Sequence, residues 1–220
     1  KSITKEIMAS GFNGVIVVAS NPVDLMTYVV SKVSGLPKNK VLGSGTVLDT
    51  ARLRYMMAEY LDISSKNIHA YVMGEHGDSS FVPWNHAYVG CKKIVDVMKD
   101  NNHSMDDLEK IHKDVVDAAY KIIEKKKATY YGIGVGLSRI VKAIIENENC
   151  ILTTSSYLKN GEYGQDDIYI GVPAIIGENG VRELVNLELT DEEQEKLNNS
   201  CEIIKEMRRE SIDEIINELC

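Results

Sequence analysis

Residues Gly14 to Gly35 read GVIVVASNPVDLMTYVVSKVSG, and this stretch decides the fold class. Gly14 to Ser20 is a short, continuous apolar run rich in β-branched side chains, the pattern of a strand buried on both faces of a parallel sheet. The run stops at Ser20 and Asn21. Pro22 then opens a helical pattern that Gly35 closes, the usual placing of proline at a helix start and glycine past its end. Upstream, KSITKEIMASGF (Lys1–Phe12) reads as the rear half of an amphipathic helix, with Ile3, Ile7 and Met8 on one side and Gly11 as the stop. Helix, strand and helix with short links is the grammar of an α/β unit.

Further along, the pattern changes. A helix is expected from about Val47 to Leu61, with Leu48, Ala51, Tyr55 and Ala58 along one face. NIHAYVM (Asn67–Met73) reads as a strand that delivers the polar loop around His76. Ser104 to Lys127 is a helix whose early acids complement its dipole, and Thr129 to Glu146 is another. Two segments, Cys150–Gly164 and Asp167–Leu189, look like antiparallel strands with turn signals at Asn160-Gly161 and Asn179-Gly180. Thr190 with Glu193 is a capping-box signature for a closing helix that runs to the C-terminus. The chain therefore reads as α/β first and α+β afterwards.

Composition narrows the function classes. Of 220 residues, 44% are hydrophobic and 26% charged, with a formal net charge of −8, which is a globular profile large enough for one large or two small domains. No apolar run reaches the roughly 18 residues of a membrane span. The acidic balance argues against a nucleic-acid partner, which calls for a basic face. Cys91, Cys150, Cys201 and Cys220 form no CxxC pair, so neither a structural zinc site nor a disulfide framework is expected, and a reducing cytoplasm is the simplest location. The first residue is not methionine and no signal pattern follows it, so the sequence reads as a fragment that begins inside an element.

Two glycine clusters invite a cofactor reading. GIGVG (Gly132–Gly136) lacks the third glycine of a dinucleotide loop and no strand precedes it, so close helix packing explains it better. GSGT (Gly43–Thr46) fails the same test, although it could bring backbone near a ligand.

The chemistry-bearing residues gain meaning as a set. Asp49 and Arg52 share a helix face, either as a solvated ion pair or as a site pair. Asn21 follows the carboxyl end of a buried strand, where open α/β sheets place ligands, or else caps the next helix. His76 is a loop histidine, a lone metal ligand or an acid. Together, an imidazole that titrates near neutrality, an aspartate that orients it, an arginine fork for a carboxylate and an amide donor for a carbonyl describe reduction of a 2-oxo acid. No ligand spacing supports a metal hydrolase built on His76, Asp49 and His86.

Four strings, VASNPVD (Val18–Asp24), LGSGTVLDTARLR (Leu42–Arg54), GEHGDSSFVPW (Gly74–Trp84) and KKKATYYGIGVGLSR (Lys125–Arg139), resemble the L-lactate dehydrogenases of the lactate/malate dehydrogenase superfamily, bacterial branch, in order and along the whole chain. The resemblance implies the last part of an NAD-binding Rossmann domain at 1–45 and the C-terminal α+β catalytic domain at 46–220. It implies interconversion of pyruvate and L-lactate with NAD, His76 being the proton donor and acceptor, Asp49 its partner and Arg52 the carboxylate clamp. Asn21 corresponds to a contact with substrate and cofactor, Ala19, Ser20, Ser44 and Ile133 to cofactor contacts, and Thr129 to the substrate's methyl end. Arg54 and His69 correspond to a fructose 1,6-bisphosphate site at a subunit interface of a cytoplasmic homotetramer that serves glycolysis. Read without the family, they are a surface charge and a strand histidine.

The family's glycine loop, ribose-binding acid and mobile active-site loop have no counterpart after Lys1. The 220 residues alone are therefore expected neither to bind NAD tightly nor to turn over, and the Gly14–Ser20 strand is expected to lack sheet partners. Competing readings are a malate or other L-2-hydroxyacid dehydrogenase of the same superfamily, and a non-catalytic oligomerising fragment.

Overall fold

A computed structural model describes residues 1–126 and 129–212. The apolar run becomes strand β1, Ile16–Val18, between helix α1, Ser2–Ala9, and helix α2, Val23–Ser34. Gly35 adopts φ 65°, a left-handed residue that ends α2 and that a side chain would strain. Pro22 stands as the N-cap rather than in the first turn. α2 leads to β2, Val41–Gly43, a wholly buried strand too short for the sequence pattern to reveal. β2 lies parallel to β1, with Val18 opposite Gly43. The expectation of a β1 without sheet partners is thus corrected: its partner lies within the chain, one crossover helix away, and β1 forms the edge of the sheet. Only Val18 of β1 is buried, so the run is not covered along its whole length.

Helix α3, Val47–Leu61, has the expected limits but a different inner face. Leu53 and Met57 are fully buried, together with Val47, Thr50 and Ala58, whereas Ala51 and Tyr55 are exposed. The buried hydroxyl decides the rotation. Thr50 Oγ1 pairs with Thr153 Oγ1 at 2.9 Å and accepts the Val72 N–H at 2.9 Å. That same bond explains why the next strand, β3, covers only Ile68–His69. Beyond it the backbone bonds to side chains of α3 and its N-cap: Ala70 O accepts Arg54 Nε at 2.9 Å and Val72 O accepts the Thr46 hydroxyl at 2.6 Å. Two short strands not foreseen, β4 (Tyr88–Val89) and β5 (Lys92–Lys93), complete a small antiparallel sheet with β3.

Helices α4 (Ile94–Asp100), α5 (Met105–Lys126) and α6 (Tyr131–Ile145) follow. Lys127, the expected end of α5, lies outside the described residues, and Thr129 precedes α6 instead of opening it. Gly132 and Gly136 lie against α3, yet a Cβ there would meet Leu48 only at ordinary contact distances, 3.4 and 4.0 Å, so the packing does not demand glycine at either position. Strands β6 (Cys150–Leu158), β7 (Ile168–Gly177) and β8 (Gly180–Leu184) then extend the first sheet to the order β1-β2-β6-β7-β8. The β7–β8 turn falls at Glu178-Asn179, with Gly180 at φ 87°. Asn160-Gly161 is not a tight hairpin. The Glu162 carboxylate accepts the N–H groups of Lys159 and Asn160 and gathers a longer connection.

The capping box at Thr190 and Glu193 opens helix α7, Asp191–Ser211; the expected run to the C-terminus lies outside the described residues. Ile168, Ile170 and Val172 of β7 share a core with Leu197, Cys201 and Ile204 of α7. Ala174 and Ile176 share another with Ile140 and Ala143 of α6. A third core joins α3, α4 and α5 around Trp84. The architecture is α/β and then α+β, with a five-stranded sheet shared by both parts and a separate three-stranded sheet in the second.

Gly45 marks where these layers meet. Its φ is 50°, and a Cβ there would lie 2.3 Å from Ser155 N on β6. Gly161 also has positive φ, 78°, but faces open space. Urea unfolding of Gly161→Ala should show a loss of about 1 kcal/mol from backbone strain alone. Gly45→Ala adds a backbone clash and should lose at least about 3 kcal/mol; equal losses would contradict the packing described.

Candidate active site

The loop from Gly74 to Phe81 is clamped at its base by two reciprocal backbone pairs. Met73 N–H donates to Phe81 O at 2.8 Å and Phe81 N–H to Met73 O at 2.9 Å, while Gly74 and Gly171 exchange bonds of 2.9 and 3.1 Å. Gly171 must be glycine for this, because a Cβ would lie 2.7 Å from Gly74 O. On its flank, Ser200 of α7 accepts the Glu75 N–H at 2.7 Å and meets the Ser79 hydroxyl at 3.0 Å. The histidine between them is therefore carried on a loop whose backbone is largely bonded.

Asp49, in the first turn of α3, reaches that histidine. Its Oδ2 lies 2.6 Å from His76 Nδ1, and its Oδ1 lies 3.6 Å from an Arg52 guanidinium nitrogen. The carboxylate has no hydrogen of its own, so Nδ1 carries the donated proton and the exchangeable site is Nε2. The Asp49 hydrogen bond leads in raising the His76 pKa above the ordinary histidine value, against partial burial, which lowers it. Arg52 is mostly buried, and α6 passes beside it: a Cβ on Gly132 would be 3.9 Å from its terminal nitrogen. Thr129, before the start of α6, and Ile133, in its first turn, are both half-buried.

Ala19, Ser20 and Asn21 are exposed at the carboxyl end of β1. Ser44 follows the adjacent carboxyl end of β2, buried, with its N–H on Val18 O at 2.8 Å. α2 has no side-chain N-cap, so the capping alternative for Asn21 falls away. Arg54 is not a free surface charge. It donates to Ala70 O, stacks 4.8 Å over the Tyr71 ring and lines a cavity of about 340 Å³ with Lys66 and Arg139. His69 is exposed on β3 and is not part of that cavity's lining. The His86 Nε2 lies 2.7 Å from Glu188 O. Among the described residues no three His, Cys, Asp or Glu side chains are grouped to hold a metal ion, and no helix is long and apolar enough to cross a membrane.

One residue of this site escapes the sequence reading. Asp24 is 1% exposed, and its Oδ2 accepts the His76 backbone N–H at 3.0 Å. Burial is the leading cause that raises its pKa to about 6, against stabilisation of the charge by Ser155 and by the His76 amide. Neither Asp24 Oδ1 nor Ser155 Oγ completes a hydrogen bond of ordinary geometry. In sequence Asp24 is an ordinary first-turn acid; the available signal was its position between Val23 and Leu25, both buried.

With this geometry in hand, comparison with known proteins is direct. Residues 46–215 match the family described as lactate/malate dehydrogenase, alpha/beta C-terminal domain, and residues 1–43 match lactate/malate dehydrogenase, NAD binding domain. The chain belongs to the lactate/malate dehydrogenase family. Within that family it is 53% identical over 207 residues to L-lactate dehydrogenase 2 of Bacillus anthracis, covering 94% of this chain and 66% of that protein. Identity to L-lactate dehydrogenase 1 of Peribacillus psychrosaccharolyticus is 51% over 208 residues, 94% of this chain and 65% of that one. Among solved structures, the minor L-lactate dehydrogenase of Enterococcus mundtii in its ligands-bound form superposes with a TM-score of 0.92 at 48% identity, over 96% of this chain and 67% of that chain. The chain thus spans about two thirds of the length of the family members it matches.

The Asp24 assignment makes a pH prediction. Its folded-state pKa, about 6, lies above the unfolded value of 3.8, so the folded protein binds this proton more tightly. The group's contribution is present below pH 3.8 and is lost as pH rises through about 6. Relative to Asp24→Asn, the native chain should therefore lose roughly 3 kcal/mol between those limits in urea unfolding. A difference that stays constant with pH would remove the charge from the buried site.

Proposed function

We propose that this chain is the catalytic part of an NAD-dependent L-lactate dehydrogenase that interconverts pyruvate and L-lactate. The observation that carries the reading is the 2.6 Å contact between His76 and Asp49 with Arg52 on the other carboxylate oxygen. In this reading residues 1–45 are the end of the NAD-binding domain and residues 46–220 the catalytic domain.

The nicotinamide end of the cofactor fits the residues present. Ala19, Ser20 and Asn21 are exposed beside Ser44 at the carboxyl ends of two adjacent parallel strands, the crevice where open α/β sheets hold nucleotides. Ile133 supplies an aliphatic side chain from α6. NADH, when bound, supplies the hydride. The guanidinium of Arg52 holds the substrate carboxylate by two parallel hydrogen bonds. Asn21 donates to the carbonyl oxygen as negative charge develops on it. His76 Nε2–H then gives its proton to that oxygen, while Nδ1 keeps its own proton, donated to Asp49, whose charge stabilises the imidazolium beforehand. In the reverse direction the neutral Nε2 takes the hydroxyl proton of lactate. Thr129 packs at the methyl end of the substrate.

The wider reading is a cytoplasmic glycolytic enzyme, assembled as a homotetramer and activated by fructose 1,6-bisphosphate at Arg54 and His69. The cations Lys66 and Arg139 beside Arg54 support an anion at that surface, while His69 would have to come from its own exposed position on β3.

The test follows NADH oxidation with pyruvate, in the polypeptide at the full length of its relatives. His76→Gln should lower kcat by about 10² to 10⁴, and Arg52→Lys should chiefly raise KM for pyruvate. Faster turnover of oxaloacetate than of pyruvate would move the assignment to a malate dehydrogenase. Inactivity with both substrates would favour a non-catalytic oligomerising role. Activation by fructose 1,6-bisphosphate should be lost in Arg54→Leu with His69→Leu, and its survival there would remove the effector assignment.

A further inference from the structure

Three asparagines precede a glycine: Asn13, Asn160 and Asn179. The dipeptide is chemically labile, because glycine has no Cβ to hinder its own nitrogen from closing a five-membered ring on the preceding carboxamide. All three asparagines are exposed, so access to water does not separate them. What the fold does to the two reacting groups does. At Asn179, Gly180 is buried and opens β8 opposite Gly177, and a Cβ there would collide with Asn39 O. Asn39 Nδ2 also donates to Asn179 O at 3.0 Å. At Asn13, the carboxamide oxygen and the main-chain oxygen both accept from Lys40 Nζ, at 3.2 and 3.1 Å. The Phe12 ring lies over Gly14, 2.7 Å from where a Cβ would stand.

At Asn160 the anchors stop short of the reacting groups. Glu162 Oε2 accepts the N–H groups of Lys159 and Asn160 at 2.8 and 2.7 Å, and Gly164 N–H donates to Gly161 O at 2.9 Å. Among the described residues, the Asn160 carboxamide and the Gly161 N–H take part in no hydrogen bond. No other group lies within 4 Å of a Cβ placed on Gly161.

We propose that Asn160 is a modification site of this protein: the Gly161 nitrogen attacks the Asn160 carboxamide, and the side chain deamidates in the folded state while Asn13 and Asn179 are protected. The proposal stands apart from the dehydrogenase reading.

Hydroxide takes the Gly161 amide proton, the nitrogen forms a bond to Asn160 Cγ, and the Cγ–Nδ2 bond breaks with release of ammonia. The product is a cyclic imide. Water then opens it at Cγ to give aspartate, or at the main-chain carbonyl to give isoaspartate, in which the chain runs through Cβ. One water is consumed, one ammonia leaves, and no oxidation state changes. An N–H already committed to an acceptor has to give up that bond before it can react, which is why the unspent Gly161 N–H is decisive. Either product adds a carboxylate to the residue whose N–H the Glu162 carboxylate accepts, and like charges there disfavour each other. Isoaspartate also lengthens the connection between β6 and β7 by one methylene carbon.

Peptide mapping by mass spectrometry tests this on the 220-residue chain, held folded in mildly alkaline buffer and, in parallel, unfolded in guanidinium chloride. Each conversion adds one mass unit and one negative charge, taking the formal net charge from −8 to −9. In the folded chain the Asn160 peptide should convert at least about tenfold faster than the Asn13 and Asn179 peptides, which react only through local opening. Unfolding removes the anchors and should bring the three rates within about threefold of one another. Ammonia release from the folded chain should fall sharply in Asn160→Gln, whose longer side chain cannot close the five-membered ring. Conversion of Asn13 or Asn179 as fast as Asn160 in the folded chain overturns the proposal. So does an Asn160 peptide that reacts only once the chain is unfolded.

Discussion

The site depends on one carboxylate placed between two cations. Asp49 gives one oxygen to His76 and the other to Arg52, and it does so from the first turn of α3, where the helix dipole also favours negative charge. Because the side chain is largely shielded from water, the pairing acts with more force than the same contact on a surface. It fixes which imidazole nitrogen is left to exchange a proton. It also draws the arginine fork into the same small volume. Every layer of the fold serves to bring the loop and this helix to that distance.

The opposing constraint is Asp24. A second carboxylate, fully buried and only half satisfied, grips the backbone of the same histidine whose ring Asp49 holds. Its raised pKa marks a cost of burial that tertiary structure elsewhere has to offset. The arrangement gives His76 two independent anchors, one on its main chain from α2 and one on its ring from α3. Ser200 and the Gly74–Gly171 pairing add anchors from α7 and β7. A loop rich in glycine and polar residues is thereby held where its flexibility would otherwise blur the geometry, which proton transfer requires to within a fraction of an ångström.

Much of this was legible in the sequence, for identifiable reasons. The β1–α2 unit announced itself because a continuous apolar run, a proline and a glycine all pointed to the same boundaries. The capping box of α7 is local and needs no tertiary information. The short strand β2 was invisible because three residues carry no periodicity, and with it went the correct account of what β1 pairs with. The inner face of α3 was misjudged because a buried threonine, Thr50, sets its rotation, and its bonds to Thr153 and Val72 come from residues far along the chain. Asn67–Met73 forms a shorter strand than its pattern suggests for the same reason: between His69 and Met73, side chains of α3 and its N-cap bond the backbone of Ala70 and Val72 in place of a neighbouring strand. Asp49, Arg52 and His76 were legible as a chemical set, but Asp24 was not, since only the assembled core reveals that its carboxylate is cut off from water.

The most direct test of the account is the ring titration of His76 itself, compared between the native chain and Asp49→Asn. The native midpoint should lie above the ordinary histidine value of 6.5. Replacing the carboxylate by an amide removes the charge and the strongest acceptor of the Nδ1 proton, and should lower the midpoint. A midpoint that is the same in both proteins would mean that Asp49 does not govern His76, and the site as described would have lost its central interaction.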